Sequence, residues 1–178
     1  IKEPAKMPLK NFNLGFIPIS LQNFFKQKNA TCIISDLNKS LKPGVTCILR
    51  RGVEQNNKQS FLAVLSLYYK LFNKKKNAPK TIIEFKKTLL KKLTIDIFIS
   101  LQNGTLVERF FDNSLELNKY ENTILQLELN TNSLVEKLLK QENGIKYVDK
   151  LIKSYLNFRD FILDDTSVID YTYLWDFV

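Results

Sequence analysis

The sequence predicts a mainly α, multi-helix domain with a small β-element near its N-terminus, with an α+β arrangement as the alternative. Three observations carry this prediction. Helix-start signals of the form Ser/Thr-x-x-Glu occur at Thr81–Glu84 and Ser133–Glu136. Apolar residues recur at helical spacing over 145–163. Ten of the thirteen residues from Ser60 to Phe72 are apolar, so a helix there has no wide polar face and is expected to be the central one.

At 178 residues the chain fits one domain, or one domain with an arm, and can bury a substantial core. Pro4, Pro8, Gly15 and Pro18 make residues 1–20 an extended arm, ahead of a single mainly helical domain over 21–178. The start at Ile1 and the apolar finish at Trp175-Asp-Phe-Val suggest a piece of a larger protein. No apolar run reaches the roughly 20 residues of a bilayer span and no signal segment opens the chain, so a soluble protein with no membrane partner is expected.

In chain order, Ile19 to Phe25 reads as a short amphipathic helix with Leu21, Phe24 and Phe25 facing inward. Cys32–Ser35 and Val45–Leu49 are strand candidates, joined by a loop that holds the turn pair Pro43-Gly44. Their cysteines, Cys32 and Cys47, read as two buried free thiols, with a bridge between paired strands as the alternative. Beyond the helix of 60–72, Pro79 stops continuation and Thr81 starts a helix over 82–93. Lys86 falls in the middle of that helix's apolar arc, where a lysine snorkels to the edge of the core or meets an anion. Thr94 caps a further helix that Gly104 ends after Asn103, and Leu106–Phe111 adds another apolar ridge. Residues 113–130 are read as helix. Ser133 opens a helix ending at Asn143-Gly144, and the long amphipathic helix of 145–163 is broken by Asp164-Asp165. Ser167 is expected to cap a last helix carrying Tyr171, Leu174, Trp175 and Val178, a core or partner-binding element.

Enzyme chemistry finds little support. There is no histidine for a triad or general base, and the five glycines form no phosphate loop. Without histidine a Cys/His zinc site is excluded, and the carboxylates at Asp164-Asp165 and within 112–121 read as helix-terminating loops. No metal, no cofactor and no small-molecule substrate is implied.

Charge is the stronger signal. Residues 1–100 carry 19 Lys/Arg against 5 Asp/Glu, a net +14, whereas 101–178 carry 8 against 13, a net −5. The basic half suits an anionic partner such as double-stranded DNA, and the acidic half a protein neighbour; an AT-rich coding sequence is the competing explanation. Lys74, Lys75, Lys76, Lys80, Lys86, Lys87, Lys91 and Lys92, with Lys70, interleave with Tyr68, Tyr69, Phe72 and Phe85. Such lysines would hold phosphates with little regard to base sequence. Base reading needs forked or amide donors, for which Arg50, Arg51, Gln55, Asn56, Asn57 and Gln59 are candidates, although the amides suit capping of the next helix equally well.

Three segments together, Leu49-Arg-Arg-Gly-Val-Glu-Gln-Asn-Asn-Lys-Gln-Ser-Phe-Leu-Ala, Ser100-Leu-Gln-Asn-Gly-Thr-Leu-Val and Asp170-Tyr-Thr-Tyr-Leu-Trp-Asp, resemble the large subunit of the early transcription factor of nucleocytoplasmic large DNA viruses, the poxvirus type. The resemblance implies a non-enzymatic module that binds promoter DNA. Its partners would be the helicase-like second subunit of the factor, which hydrolyses ATP, and the viral RNA polymerase. It also implies a cytoplasmic viral factory and the virion as locations. A virion structural or assembly protein acting through protein contacts is the rival expectation.

Overall fold

The computed structural model describes residues 1–73, 78–120 and 133–177. Mainly helical architecture is what it shows. The one sheet among the described residues pairs β1 (Leu14–Gly15) antiparallel with β2 (Arg50–Arg51). The helices are α1 (Ile19–Phe24), α2 (Ser60–Asn73), α3 (Ile82–Lys92), α4 (Ile95–Ser100), α5 (Thr105–Phe110), α6 (Leu134–Leu139), α7 (Gly144–Leu163) and α8 (Tyr171–Leu174).

Local chemistry starts most of them. Thr81 Oγ1 accepts from the Glu84 amide at 3.2 Å to open α3, and Glu84 reaches back to accept from the Lys80 amide at 2.7 Å. Thr94 Oγ1 accepts from Ile97 N at 3.1 Å, and Ser133 Oγ from Glu136 N at 3.0 Å, to open α4 and α6. Between α4 and α5, Gln102, Asn103 and Gly104 take φ values of 48°, 55° and 82° in succession. Three left-handed residues reverse the chain there, which Asn and Gly tolerate best.

The centre of the body is α7. Leu151, Tyr155, Leu156, Phe158 and Ile162 on it are almost fully buried, and α3, α4, α5 and α6 pack around it. Phe158 meets Phe98 and Phe110 at ring-centroid distances of 5.3 and 5.0 Å, and Phe161 meets Tyr173 of α8 at 4.8 Å. Such aromatic pairs hold helices in fixed relative positions through shape as well as burial.

Several expectations are corrected. α2 is not the central helix: Leu62, Ala63 and Ser66 are buried, but Val64, Tyr68, Leu71 and Phe72 lie half exposed or more along the other side. All-round apolarity therefore does not bring neighbours to all sides of this helix. In α1 and just beyond it, Leu21, Phe24 and Phe25 are exposed, not inward. The strands are not at Cys32–Ser35 and Val45–Leu49. Asn29–Cys32 is a turn of 3-10 helix, Ile33 makes an isolated bridge to Leu41, and the paired strand comes from inside the expected arm. That stretch also buries Leu9, Phe16 and Ile17. Cys32 and Cys47 are not free thiols; they form a disulfide across 15 residues of sequence. Helix α6 ends at Leu139, well before Asn143, and Gly144 begins α7. The last helix is capped by Asp170, whose Oδ1 accepts from Thr172 N at 2.9 Å, in place of Ser167. Most of the helix expected over 113–130 lies outside the described residues; within them, Leu117–Tyr120 is a 3-10 turn. Val178 is also outside them. None of the described helices is long and apolar enough to cross a membrane.

Candidate nucleic-acid interface

The basic residues of the first half divide into those that build the fold and those that face outward. Arg50 belongs to the first group. From β2 its guanidinium donates to four backbone carbonyls of the N-terminal stretch: Nε to Phe16 at 2.6 Å, Nη1 to Lys6 at 3.3 Å, and Nη2 to Glu3 and Pro4 at 3.1 and 3.0 Å. A planar fork of donors is suited to gathering carbonyls that no strand partner satisfies. With its donors so engaged, Arg50 is a structural residue that ties down the N-terminal stretch, and not the free cation that the sequence suggests.

Lys86 is corrected for the same reason. It is 2 % exposed, and its ammonium donates to the carbonyls of Leu163 and Asp164 at 3.4 and 3.1 Å and to Asp165 Oδ1 at 2.8 Å. It neither snorkels to solvent nor meets an outside anion. The cation sits at the C-terminus of α7, where the last carbonyls lack helical partners and the helix dipole favours positive charge.

The side chains of Gln55, Asn56 and Gln59 are structural too, while Asn57 is exposed. Asn56 Oδ1 accepts from the amides of Lys58 and Gln59, both at 2.9 Å, and prepares the start of α2. Gln59 is buried, and its Nε2 donates to Asp164 O and Ser167 O at 2.8 and 2.9 Å. Gln55 Nε2 donates to Leu9 O at 3.2 Å. Gly52 stands where these elements meet: a Cβ on it would lie 2.0 Å from Lys10 O, so only glycine permits this approach of two backbones.

The outward group is Arg51, Lys70, Lys80, Lys87, Lys91 and Lys92, all exposed. Lys74, Lys75 and Lys76 lie outside the described residues. Lys87 and Lys91, four apart, share an exposed side of α3 with Ile83, and the Lys92 ammonium lies 5.0 Å from the centre of the Tyr69 ring. None of the six is in an ion pair among the described residues. The ion pairs there are Lys86–Asp165, Lys140–Glu136, Lys150–Glu108 and Lys153–Asp149, and every one takes its carboxylate from the second half. Among the described residues, the exposed lysines of α3, Lys87, Lys91 and Lys92, thus have no carboxylate partner, whereas the buried Lys86 on the same helix does.

Phe12 lies beside this edge, and no sequence pattern singles it out beyond the flanking Asn11 and Asn13 that mark a turn. It is 54 % exposed and its φ is 65°. Arg51 Cζ and Lys70 Nζ each approach to 5.8 Å from the ring centre. Among the partner-binding candidates, Tyr171 and Trp175 are exposed while Leu174 is fully buried in the chain's own core, which corrects its assignment.

The fold and this edge define a mainly helical domain with a cationic margin that has no carboxylate partners among the described residues. No family model matches the chain, and no curated protein and no solved structure is significantly similar to it.

Proposed function

We propose that the chain is a non-enzymatic module of a viral transcription initiation factor that binds double-stranded promoter DNA along the α3 edge. One observation carries this reading: Lys80, Lys87, Lys91 and Lys92 gather on and just before a single helix, exposed and without a carboxylate partner among the described residues. Unpaired, solvated cations on one edge attract a phosphate backbone without any sequence readout.

The disposition of the three segments that resemble the early transcription factor large subunit supports the same reading. The second and third of them meet directly, since Gln102 N donates to Asp176 Oδ2 at 2.5 Å and Gln102 Nε2 to Thr172 O. The first comes within one residue of the third, where Ile169 N donates to Lys58 O at 3.0 Å. The second subunit of the factor and the viral RNA polymerase would then be its protein partners, with Tyr171 and Trp175 as exposed contacts.

Titration of the chain against a labelled duplex at several salt concentrations tests the DNA reading. Affinity should fall steeply with salt, and Lys87→Ala combined with Lys91→Ala should flatten the log–log slope by about 2, roughly one per phosphate contact removed. Absence of binding at low salt, or a slope near zero, sinks it.

A second reading, a virion structural or assembly protein, is favoured by a different observation. Val64, Tyr68, Leu71 and Phe72 form an exposed apolar stripe on α2, and the Cys32–Cys47 bond suits an oxidising location such as a virion. Recovery of the chain in fixed stoichiometry with coat proteins, and not with polymerase, would establish it in place of the first.

A further inference from the structure

The α3 lysines can account for attraction to phosphate, but not for Phe12. A bulky aromatic residue in the left-handed region is an outlier that persists only where its surroundings impose it. Here they do. Phe12 N donates to Gly52 O at 3.0 Å, Gly52 N donates to Asn13 O at 2.8 Å, and Asn13 N donates to Lys10 O at 3.0 Å. The turn is thus tied on both sides of Phe12 to the point where Gly52 allows the two backbones to touch. Core packing does not explain this, because Phe12 stands outside both apolar clusters and is more than half exposed. It faces a small cleft shared with Gly52, Glu54, Ser66, Lys70 and Lys80. The one carboxylate there, Glu54, accepts from the first amide of α3, Ile82 N, at 2.7 Å. Lys70 and Lys80 line the cleft, and Arg51 approaches the exposed ring from outside it, so the cations around the ring outnumber the carboxylate.

From this arrangement we propose that Phe12 is a stacking platform for an unpaired base of a single nucleic-acid strand, whose phosphates are held by Arg51, Lys70 and Lys80. The proposal rests on the DNA-binding reading and adds a substrate class to it. Every base offers a π-face, so an aromatic platform beside a cationic groove binds single strands with little sequence preference. In a paired duplex those faces are hidden by stacking, and a protruding ring gains nothing.

The test compares three labelled ligands by fluorescence anisotropy: an oligothymidylate of about 12 nucleotides, within the site size of a single-strand groove, an abasic strand of equal length, and a duplex. The wild-type chain should prefer the strand with bases to the abasic one. Phe12→Ala should weaken oligothymidylate binding roughly 5- to 100-fold, as expected for one lost stacking contact, with abasic and duplex binding unchanged. Phe12→Trp, which keeps a ring at the same place, should retain the preference and guards against a folding defect in the alanine variant. Arg51→Ala with Lys70→Ala should weaken both single strands alike. Equal binding of strands with and without bases, or a Phe12→Trp variant that has lost the preference while still folded, overturns the platform. If duplex binding persists in that case, the DNA-binding reading stands without it; failure of all three ligands at low salt overturns both.

Discussion

Residues 1–52 and the helical body from α2 onward are held together by different means. In the N-terminal region the buried apolar cluster is only Phe16, Cys32 and Ile33, with Cys47 and Leu49 against it, while Ile19, Phe24 and Leu37 point to solvent. Order there comes from cross-links: the disulfide, the Arg50 fan, and the two-point contact in which Gln27 Nε2 donates to Ile48 O at 3.0 Å and Ile48 N donates to Gln27 Oε1 at 2.7 Å. The body instead has one continuous apolar core around α7, from Leu62 on α2 to Leu174 on α8. A stretch that cannot bury enough apolar surface must limit its freedom through covalent and polar ties; a stretch that can does not need them. The cleft at Phe12 lies along the seam of the two, which places this ring of the tied region beside Lys70 and Lys80 of the packed one.

The comparison can be broken most forcefully from the side of the body. Phe158→Ala removes a ring that contacts Phe98, Phe110 and Phe161, and should cost about 3–5 kcal/mol and lower the melting temperature of the whole helical body. A melting curve indistinguishable from wild type would mean that α7 is not the centre of the core. Next in size is loss of the Cys32–Cys47 bond. Closing a loop of about 15 residues is worth roughly 3 kcal/mol in the chain-entropy account, and the effect should be local. Hydrogen exchange after reduction should rise over residues 14–51 and stay unchanged in α7; a uniform rise would show that the two regions do not respond separately.

The smallest effect concerns pH at the end of α7. The Asp164 carboxylate accepts from the Ser167 hydroxyl at 2.5 Å and from the Thr166 amide and hydroxyl, both at 2.8 Å, and these bonds, that from Ser167 foremost, bring its pKa down from 3.8 to about 2. A carboxyl group depressed in the folded state adds stability that is present above its unfolded pKa and is lost as pH falls toward the folded one. The wild type should therefore lose a small increment of stability between pH 3.8 and about 2. Asp164→Asn should lack this part of the acid limb, as read by melting temperature against pH.

Much of the body was legible in the sequence because its signals are short-range. Thr81–Glu84, Ser133–Glu136 and the three-and-four spacing from Val148 to Ile162 act within a turn or along one face, so they declare the helices wherever the rest of the chain lies. The candidate site was legible only in part. A lysine at position 86 looks like its neighbours Lys87 and Lys91, yet it is buried because the end of α7, 77 residues further on, supplies the carbonyls. Arg50 likewise resembles Arg51, and only the carbonyls of Glu3 to Phe16, 34 to 47 residues back, separate their roles.

The sequence by itself determined the helical class, the starts of α3, α4 and α6, the extent of α7 and the concentration of positive charge in the first half. Those properties depend on residue type and on partners three or four positions away. Tertiary structure alone decided that the two cysteines met, which cations were consumed by the fold, which side of α2 stayed exposed, and that Phe12 stands beside Arg51 and Lys70. Burial and pairing are properties of neighbours brought together from distant parts of the chain, and residue type does not name those neighbours.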